Sequence, residues 1–379
     1  MLKIMGDHAP NTVEQMWRCL ATGSAVRGVL CADGHLGYSQ PVGGVVAYEK
    51  HISVSGVGFD IGCGNLAAKL DITHAEIKGR IDAIAKSISR KIDFGLGGRY
   101  EGSRRNLGTG IFDDHEAWHA AGVGYLKDMA VAQLGTVGGG NHYVDLFEDR
   151  ADGHVWIGVH FGSRGLGHKT AARYLKFAGG HEGIDAAPAL VSDGSELGQR
   201  YIAAMTLAGR YAQAGRDWVV DVIRRLLAAR IIDRVHNHHN YAWAEEHDGR
   251  LHWVVRKGAT PAFPGQRGFI GGSMGDDAVI VEGTDSPQSR EALYSTVHGA
   301  GRLFGRRDAK LRFTRHQMND WMAERGIHLA GGDVDESPMA YRRLDDVLPH
   351  HEGTIRVTAR LRPFLVMMAG PDVRDPYKE

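Results

Sequence analysis

Cysteine is scarce in this chain of 379 residues: Cys19, Cys31 and Cys63 are the only three. Isolated thiols with no CxxC spacing exclude a disulfide framework and a zinc-finger module. No apolar run reaches the roughly 18 residues that read as a membrane helix, and the first residues lack a basic-then-apolar leader pattern. These absences predict a reducing, cytoplasmic setting with no membrane partner. An excess of either charge is missing as well. Lys+Arg and Asp+Glu stand at 45 each, so no global field draws the chain toward nucleic acid, and an RNA contact would need a local patch. No 20–50-residue repeat and no linker-like stretch is visible.

What the chain has in quantity is glycine: 52 residues, about twice the usual share, set in separated loops rather than a repeat. That distribution points to an enzyme with backbone-lined pockets rather than a fibre. Hydrophobic content of 43% allows a large core. The pattern is mixed α and β. Strands are predicted at 26–31, 42–48, 66–70, 155–160, 251–255, 278–282 and 355–368, the last with a bend at Pro363. Apolar residues at helical spacing, such as Ile77, Ile81, Ile84 and Ile88, predict helices at 75–88, 197–236 and 310–325. The Gly-, Arg- and Asn-rich stretch 94–109 has no period and reads as loop.

Chemistry concentrates in five places. Gly58-Phe59-Asp60-Ile61-Gly62-Cys63-Gly64 presents a hard oxygen and a soft sulfur from one glycine-flanked turn. Histidines follow in Gly-Gly-Gly-Asn-His142, in His160-Phe-Gly-Ser-Arg and in His-His239-Asn-Tyr, and together these groups suit a metal centre drawn from distant segments. His298, between Val297 and Gly299, has the setting of a separate functional group. Taken singly, a cysteine is usually a small core residue, a glycine triplet a turn, and a histidine structural. His236, His238, His247 and His252 are expected to be solvated or locally bonded; a basic run such as Arg302 to Arg315 is usually a wet helix face, with contact to an RNA backbone as its functional alternative. The joint occurrence of all five motifs argues for a site. A candidate set reaching from Asp60 to His239 also predicts one unit over 1–379 rather than separate domains.

The chain resembles the RtcB family of RNA-splicing ligases. The resemblance rests on Asp33-Gly-His-Leu-Gly, the Asp60/Cys63 segment, Leu134-Gly-Thr-Val-Gly-Gly-Gly-Asn-His-Tyr, His160-Phe-Gly-Ser-Arg-Gly-Leu-Gly, His238-His-Asn-Tyr, Arg256-Lys-Gly-Ala, Gly272-Ser-Met-Gly, His298-Gly-Ala-Gly-Arg and Pro338-Met-Ala-Tyr, which occur in family order. It implies an α+β fold: one catalytic domain with sheets around a deep polar cleft. It implies an enzyme that joins RNA ends carrying a 3′-phosphate or 2′,3′-cyclic phosphate to 5′-hydroxyl ends, using GTP and two manganese ions. By resemblance, Cys63 bridges the ions, Asp60 and His142 complete one, and His160 and His239 the other. The residue types alone leave zinc equally suited. His298 would attack the α-phosphate of GTP to form a histidine–GMP adduct. The guanylate would be surrounded by Asn141, Asp145, Asn240, Gly271, Gly272, Ser273, Met274, Gly299, Ala300, Gly301 and Tyr341, with His142 and His239 beside it. Arg164 would meet a phosphate. Archease is the implied protein partner.

Departures from the family pattern fall at the base-recognition positions. Ala369 stands where a lysine is usual, with the extension 371–379 after it, Asp145 replaces a glutamate and Ala278 a serine. These changes predict a weaker preference for guanine over adenine. Two other readings remain open: a dimetal phosphatase or cyclic phosphodiesterase acting on RNA ends without guanylation, and a non-catalytic RNA-binding platform. A split tRNA and a damaged RNA are both compatible substrates.

Overall fold

The strand Gly64–Thr73 shows how the interior is built in a computed structural model that describes residues 1–95, 98 and 110–371. Side chains alternate between the faces of a strand. Leu66, Ala68 and Leu70 enter one apolar cluster with Leu146, Ile157 and Val159, while Ala67 enters another with Phe147, Trp156 and Phe269. With both faces covered, the segment carries apolar residues at consecutive positions instead of alternating apolar and polar.

This strand belongs to an eight-stranded sheet. The order is Arg267–Ile270, Ala278–Gly283, Ile355–Met368, Tyr143–Asp149, His154–Phe161, Gly64–Thr73 and Ile231–His238, with His328–Ala330 beside Ile355–Met368. That last pairing is parallel and the others are antiparallel. A five-stranded sheet orders Leu2–Ile4, Ala25–His35, Val42–Tyr48, Arg250–Lys257 and Asn240–His247. The helix Glu196–Leu226 joins the two cores: Tyr201, Ala208 and Tyr211 pack in the cluster that includes Leu30, Val46 and Tyr48, and Val219, Val220 and Ile223 in the cluster with Leu66 and Ile157. The α+β class holds. The bend expected at Pro363 appears as a register shift between Pro363 and Leu365.

Three helix expectations need correction. The pattern read as helix over 197–236 is a helix only to Leu226; Ala228 takes a left-handed φ of 54° and the chain re-enters the sheet as Ile231–His238. No glycine or proline marks that turn, so apolar spacing carried the expectation too far. The 310–325 pattern is two helices, Arg306–Arg312 and Arg315–Glu324. Thr314 restarts the chain through a capping box with Gln317. The 75–88 pattern is likewise divided, into His74–Ile77 and Ile81–Ser89. Most of the loop expected at 94–109, and all of the extension beyond Pro371, lie outside the described residues.

Candidate metal and nucleotide site

Strand register explains how the site assembles. Asn65 pairs with both His160 and Asn237, His160 pairs with Tyr143, and Tyr143 with Met368. Cross-strand partners point to the same face, so these residues form one row along the strand ends. The face is set by parity: Val155, Ile157 and Val159 point into the opposite core, leaving His160 on the side of Trp156. At the end of the row the chain turns, and the backbone N–H of His239 donates to the carbonyl of Cys63 at 2.8 Å. That bond sets the third imidazole-bearing segment against the thiol turn.

The turn itself follows the short helix Val54–Val57, which Ser53 caps through the N–H of Gly56. Gly58 and Gly62 take left-handed φ values of 82° and 70°, and the N–H of Cys63 donates to the carbonyl of Asp60 at 3.0 Å. A side chain at Gly162 would run into the Asp60 carboxylate, so that glycine permits the close approach of the strand carrying His160.

The sulfur of Cys63 lies 3.8 Å from Nε2 of His142 and 3.7 Å from Nε2 of His160. Two donors sharing one ion at ~2.1–2.3 Å sit about this far apart. Asp60 Oδ2 is 3.0 Å from His142 Nε2, and the rings of His160 and His239 stack at 5.0 Å. Further bonds orient the ligands: His142 Nδ1 donates to the carbonyl of Val137 at 3.0 Å, and His160 Nδ1 to Asn65 Oδ1 at 2.6 Å. Such outer bonds fix the tautomer and leave Nε2 as the donor to a metal.

The electrostatics fit a cation. Burial pushes the Cys63 thiol well up, and the Asp60 charge adds to the effect, so a thiolate needs a positive neighbour to form. Burial also raises Asp60, but the hydrogen bond and charge of His142 outweigh it and hold the carboxyl at about 2. Burial keeps His160 and His239 well below the ordinary histidine value, hence neutral and able to ligate. His239 Nδ1 is buried and has no hydrogen-bond partner among the described residues, the signature of a polar atom that a metal would satisfy. Cys63, His142 and His160, whose ligand atoms all lie within 4.8 Å of one another, therefore fit a divalent metal, with Asp60 and His239 beside them.

His298 stands next to this cluster, its ring 4.8 Å from that of His239. Its Nδ1 donates to Asp33 Oδ2 at 2.6 Å, and its backbone N–H reaches the same oxygen at 3.0 Å. Asp33 is fully buried. Burial raises its carboxyl, yet the charge and hydrogen bonds of His298 overcome this and keep it below the usual range. With Nδ1 committed to Asp33, the lone pair of His298 resides on Nε2. Sequence reasoning singled out Asp33 without a role; the structure gives it that of orienting His298.

A cavity of about 1220 Å³ joins the whole constellation. Asp60, Cys63, His142, His160, His239 and His298 line it, as do Asn141, Asp145, Asn240, Gly271, Gly272, Ser273, Met274, Gly299, Ala300, Gly301 and Tyr341. The Gly271 and Gly299 backbones bridge in parallel, and Asn240 Oδ1 accepts from the N–H of Gly258 at 2.7 Å. Arg164 and Lys257 line the cavity too. Arg302 and Arg306 line it but are not a wet helix face: both meet Glu336, and Arg306 also meets Asp335 at 3.2 Å. Ala278 needs a second correction. It is buried against Phe147, Trp156 and Phe269, away from the cavity, and so is no missing base contact. The expected local bonding of His236, His238 and His247 is seen, to Arg216 for the first two and to Glu245 for the third.

Arg216, which sequence reasoning missed, lies fully buried behind the thiol turn. It donates to the carbonyls of Gly62 (3.1 Å) and Phe161 and bonds His236 and His238 at 2.8 and 3.0 Å. Its position inside a long amphipathic helix gave no signal.

Comparison with known proteins defines the class. The sequence profile described as "tRNA-splicing ligase RtcB" matches residues 19–131 and 123–369. The tRNA-splicing ligase RtcB of Thermococcus kodakarensis is 29% identical over 89% of this chain and 86% of its own length. The RNA-splicing ligase RtcB of Mycobacterium bovis is 32% identical over 88% and 94%, and that of Escherichia coli K12 is 28% identical over 87% of each. The chain belongs to the RtcB family.

Proposed function

We propose that this protein is an RNA ligase that joins 3′-phosphate or 2′,3′-cyclic-phosphate ends to 5′-hydroxyl ends through a His298–GMP adduct. The observation that carries the reading is the pairing of two features in one cavity: five metal-type side chains, of which Cys63, His142 and His160 cluster most tightly, and an imidazole whose Nδ1 is tied to Asp33. The names of the relatives support RNA as the substrate. Two manganese ions would be held by Asp60, Cys63 and His142 and by Cys63, His160 and His239. When bound they would neutralise charge on phosphoryl oxygens.

The steps belonging to this chain's residues are these. His298 Nε2 attacks the α-phosphorus of GTP; an N–P bond forms, the bond to the β-phosphate oxygen breaks, and pyrophosphate leaves. Asp33 stabilises the positive charge that the ring acquires at Nδ1–H. A cyclic-phosphate end is first opened by one water to a 3′-phosphate. An oxygen of the 3′-phosphate then attacks the adduct phosphorus, the N–P bond to His298 breaks, and GMP is carried on the RNA end. The 5′-hydroxyl oxygen finally attacks the 3′-phosphorus, giving up its proton as GMP leaves.

Burial pushes the carboxyl of Asp145, which lines the cavity, well up, and the N–H of Met367 opposes this. The shorter acid side chain at this position, together with Ala369, whose side chain has no polar atom, supports a relaxed choice between guanine and adenine. The test is incubation with Mn²⁺ and α-labelled GTP or ATP, followed by a denaturing gel. A labelled protein band lost in His298→Ala is expected. Hydrolysis of RNA ends without any band would replace ligation with a phosphatase reading, and labelling by GTP alone would refute relaxed base choice.

A further inference from the structure

Beside the cleft, the helix Arg164–Phe177 departs from the charge balance of the whole chain. It carries Arg164, Lys169, Arg173 and Lys176 and no acidic residue, in a protein whose acids and bases are equal in number. Its inner face, Leu166, Gly167, Thr170, Ala171, Tyr174 and Leu175, is buried. Its first turns line the cavity through Arg164, Gly165, His168 and Lys169. The remaining turns carry the same outer face away from the cleft over a helix ~21 Å long. At the far end the Arg173 guanidinium lies 5.2 Å from the ring centroids of both Tyr125 and Phe177. These rings are 64% and 54% exposed, so two aromatic side chains held by one cation stand open to solvent.

We propose that this outer face, with Tyr125, is a track for single-stranded RNA running out of the cleft. The inference rests on the RNA-joining reading and extends it from the reacting ends to the strand behind them. Exposed aromatic faces accept unpaired bases of any sequence by stacking, and interleaved cations follow the phosphates. An acidic protein would be met by the cations but would leave the two rings without a use. Continuity with the cleft favours the same conclusion, because a strand whose end is in the cavity must leave along a wall of it. Asp128, exposed on the helix packed alongside, bounds the positive surface on that flank.

The test compares the full-length protein with Tyr125→Ala/Phe177→Ala and with Lys176→Glu, none of which lines the cavity. Fluorescence anisotropy would read binding of a long single-stranded RNA and of a very short one with the same 3′-phosphate end, with thermal melts verifying folding. Loss of both stacking rings should weaken long-RNA binding by about tenfold or more. Lys176→Glu should reduce the slope of log affinity on log salt by about one. Short ends should bind and be joined as by the wild type, and for long substrates KM should rise while kcat holds. Unchanged affinity for long RNA in both variants would overturn the track. So would equal losses for short and long RNA, or loss of binding to a polyglutamate peptide with RNA binding intact. A wild-type protein that joins neither length would instead sink the ligase reading, while the binding comparison would still report on the track.

Discussion

Asn65 would touch no reacting atom, yet it controls one that does. Its Oδ1 holds Nδ1 of His160 at 2.6 Å, and its Nδ2 donates to the carbonyl of Phe269 at 2.9 Å, so both ends of the amide are committed. Replacing it frees the imidazole to rotate and to change tautomer. Asn65→Ala is expected to lower affinity for Mn²⁺ by about 10- to 100-fold in a calorimetric titration. It should also cost about 1–3 kcal/mol of stability by stranding a buried partner. Unaltered affinity would mean that the ring is fixed by packing alone. Asp33 acts on His298 by the same logic. Neither role was legible from composition or periodicity, because a hydrogen bond between residues 95 or 265 positions apart has no local sequence pattern. The nucleophile and ligand candidates themselves were legible, because sulfur, carboxylate and imidazole in glycine-flanked settings carry their chemistry wherever they fold.

Among the elements, the hairpin Asn240–His247/Arg250–Lys257 carries a buried charge pair. Asp248 and Gly249, with φ of 53° and 73°, make a two-residue turn of the left-handed kind that matches strand twist. Within it Arg256, fully buried, meets both oxygens of Glu245 at 2.6 and 3.1 Å, and His247 adds a contact at 2.9 Å. Burial raises the Glu245 carboxyl, but the Arg256 charge and hydrogen bonds more than offset it and leave it below its ordinary 4.5. A depressed acid stabilises the fold fully above the unfolded value and loses that contribution as pH falls through the folded value. Urea unfolding of the wild type should therefore show stability declining below about pH 4.5. Glu245→Gln should lack this component and be less stable at neutral pH by roughly 3 kcal/mol, the cost of leaving Arg256 uncompensated. Equal acid profiles for the two proteins would remove the pair from the account. The sequence exposed this hairpin only in part. The apolar stretch 251–255 marked one strand, whereas the other, with Glu245, Glu246 and His247 in it, was hidden by its polarity.

Over the whole molecule, the candidate ligands come from a helix-to-strand turn at Asp60 and Cys63, a loop at His142, the end of a strand at His160, and the bend between two strands at His239. A metal that binds them only when they are assembled stabilises the folded state by mass action. Mn²⁺ at about a hundred times its dissociation constant should add about 2.7 kcal/mol, seen as a higher melting temperature that a chelator reverses. Cys63→Ala should abolish the shift. A wild-type melting curve indifferent to Mn²⁺ would separate the donor cluster from metal binding.

By itself the sequence determined which groups exist to do chemistry, where some of the buried strands run and which turns need glycine, because these follow from side-chain type and from periods of two and 3.6. It also carried family membership, since the motifs recur in order along the chain. The tertiary structure alone decided that five donors and His298 share one cavity, that Ala278 lies in the core rather than at the base, and that 231–238 pairs in the sheet instead of extending a helix. Those outcomes depend on strand register, on the parity that selects a face, and on hydrogen bonds across hundreds of residues. Each is a property of pairing between segments, and a linear pattern within one segment cannot contain it.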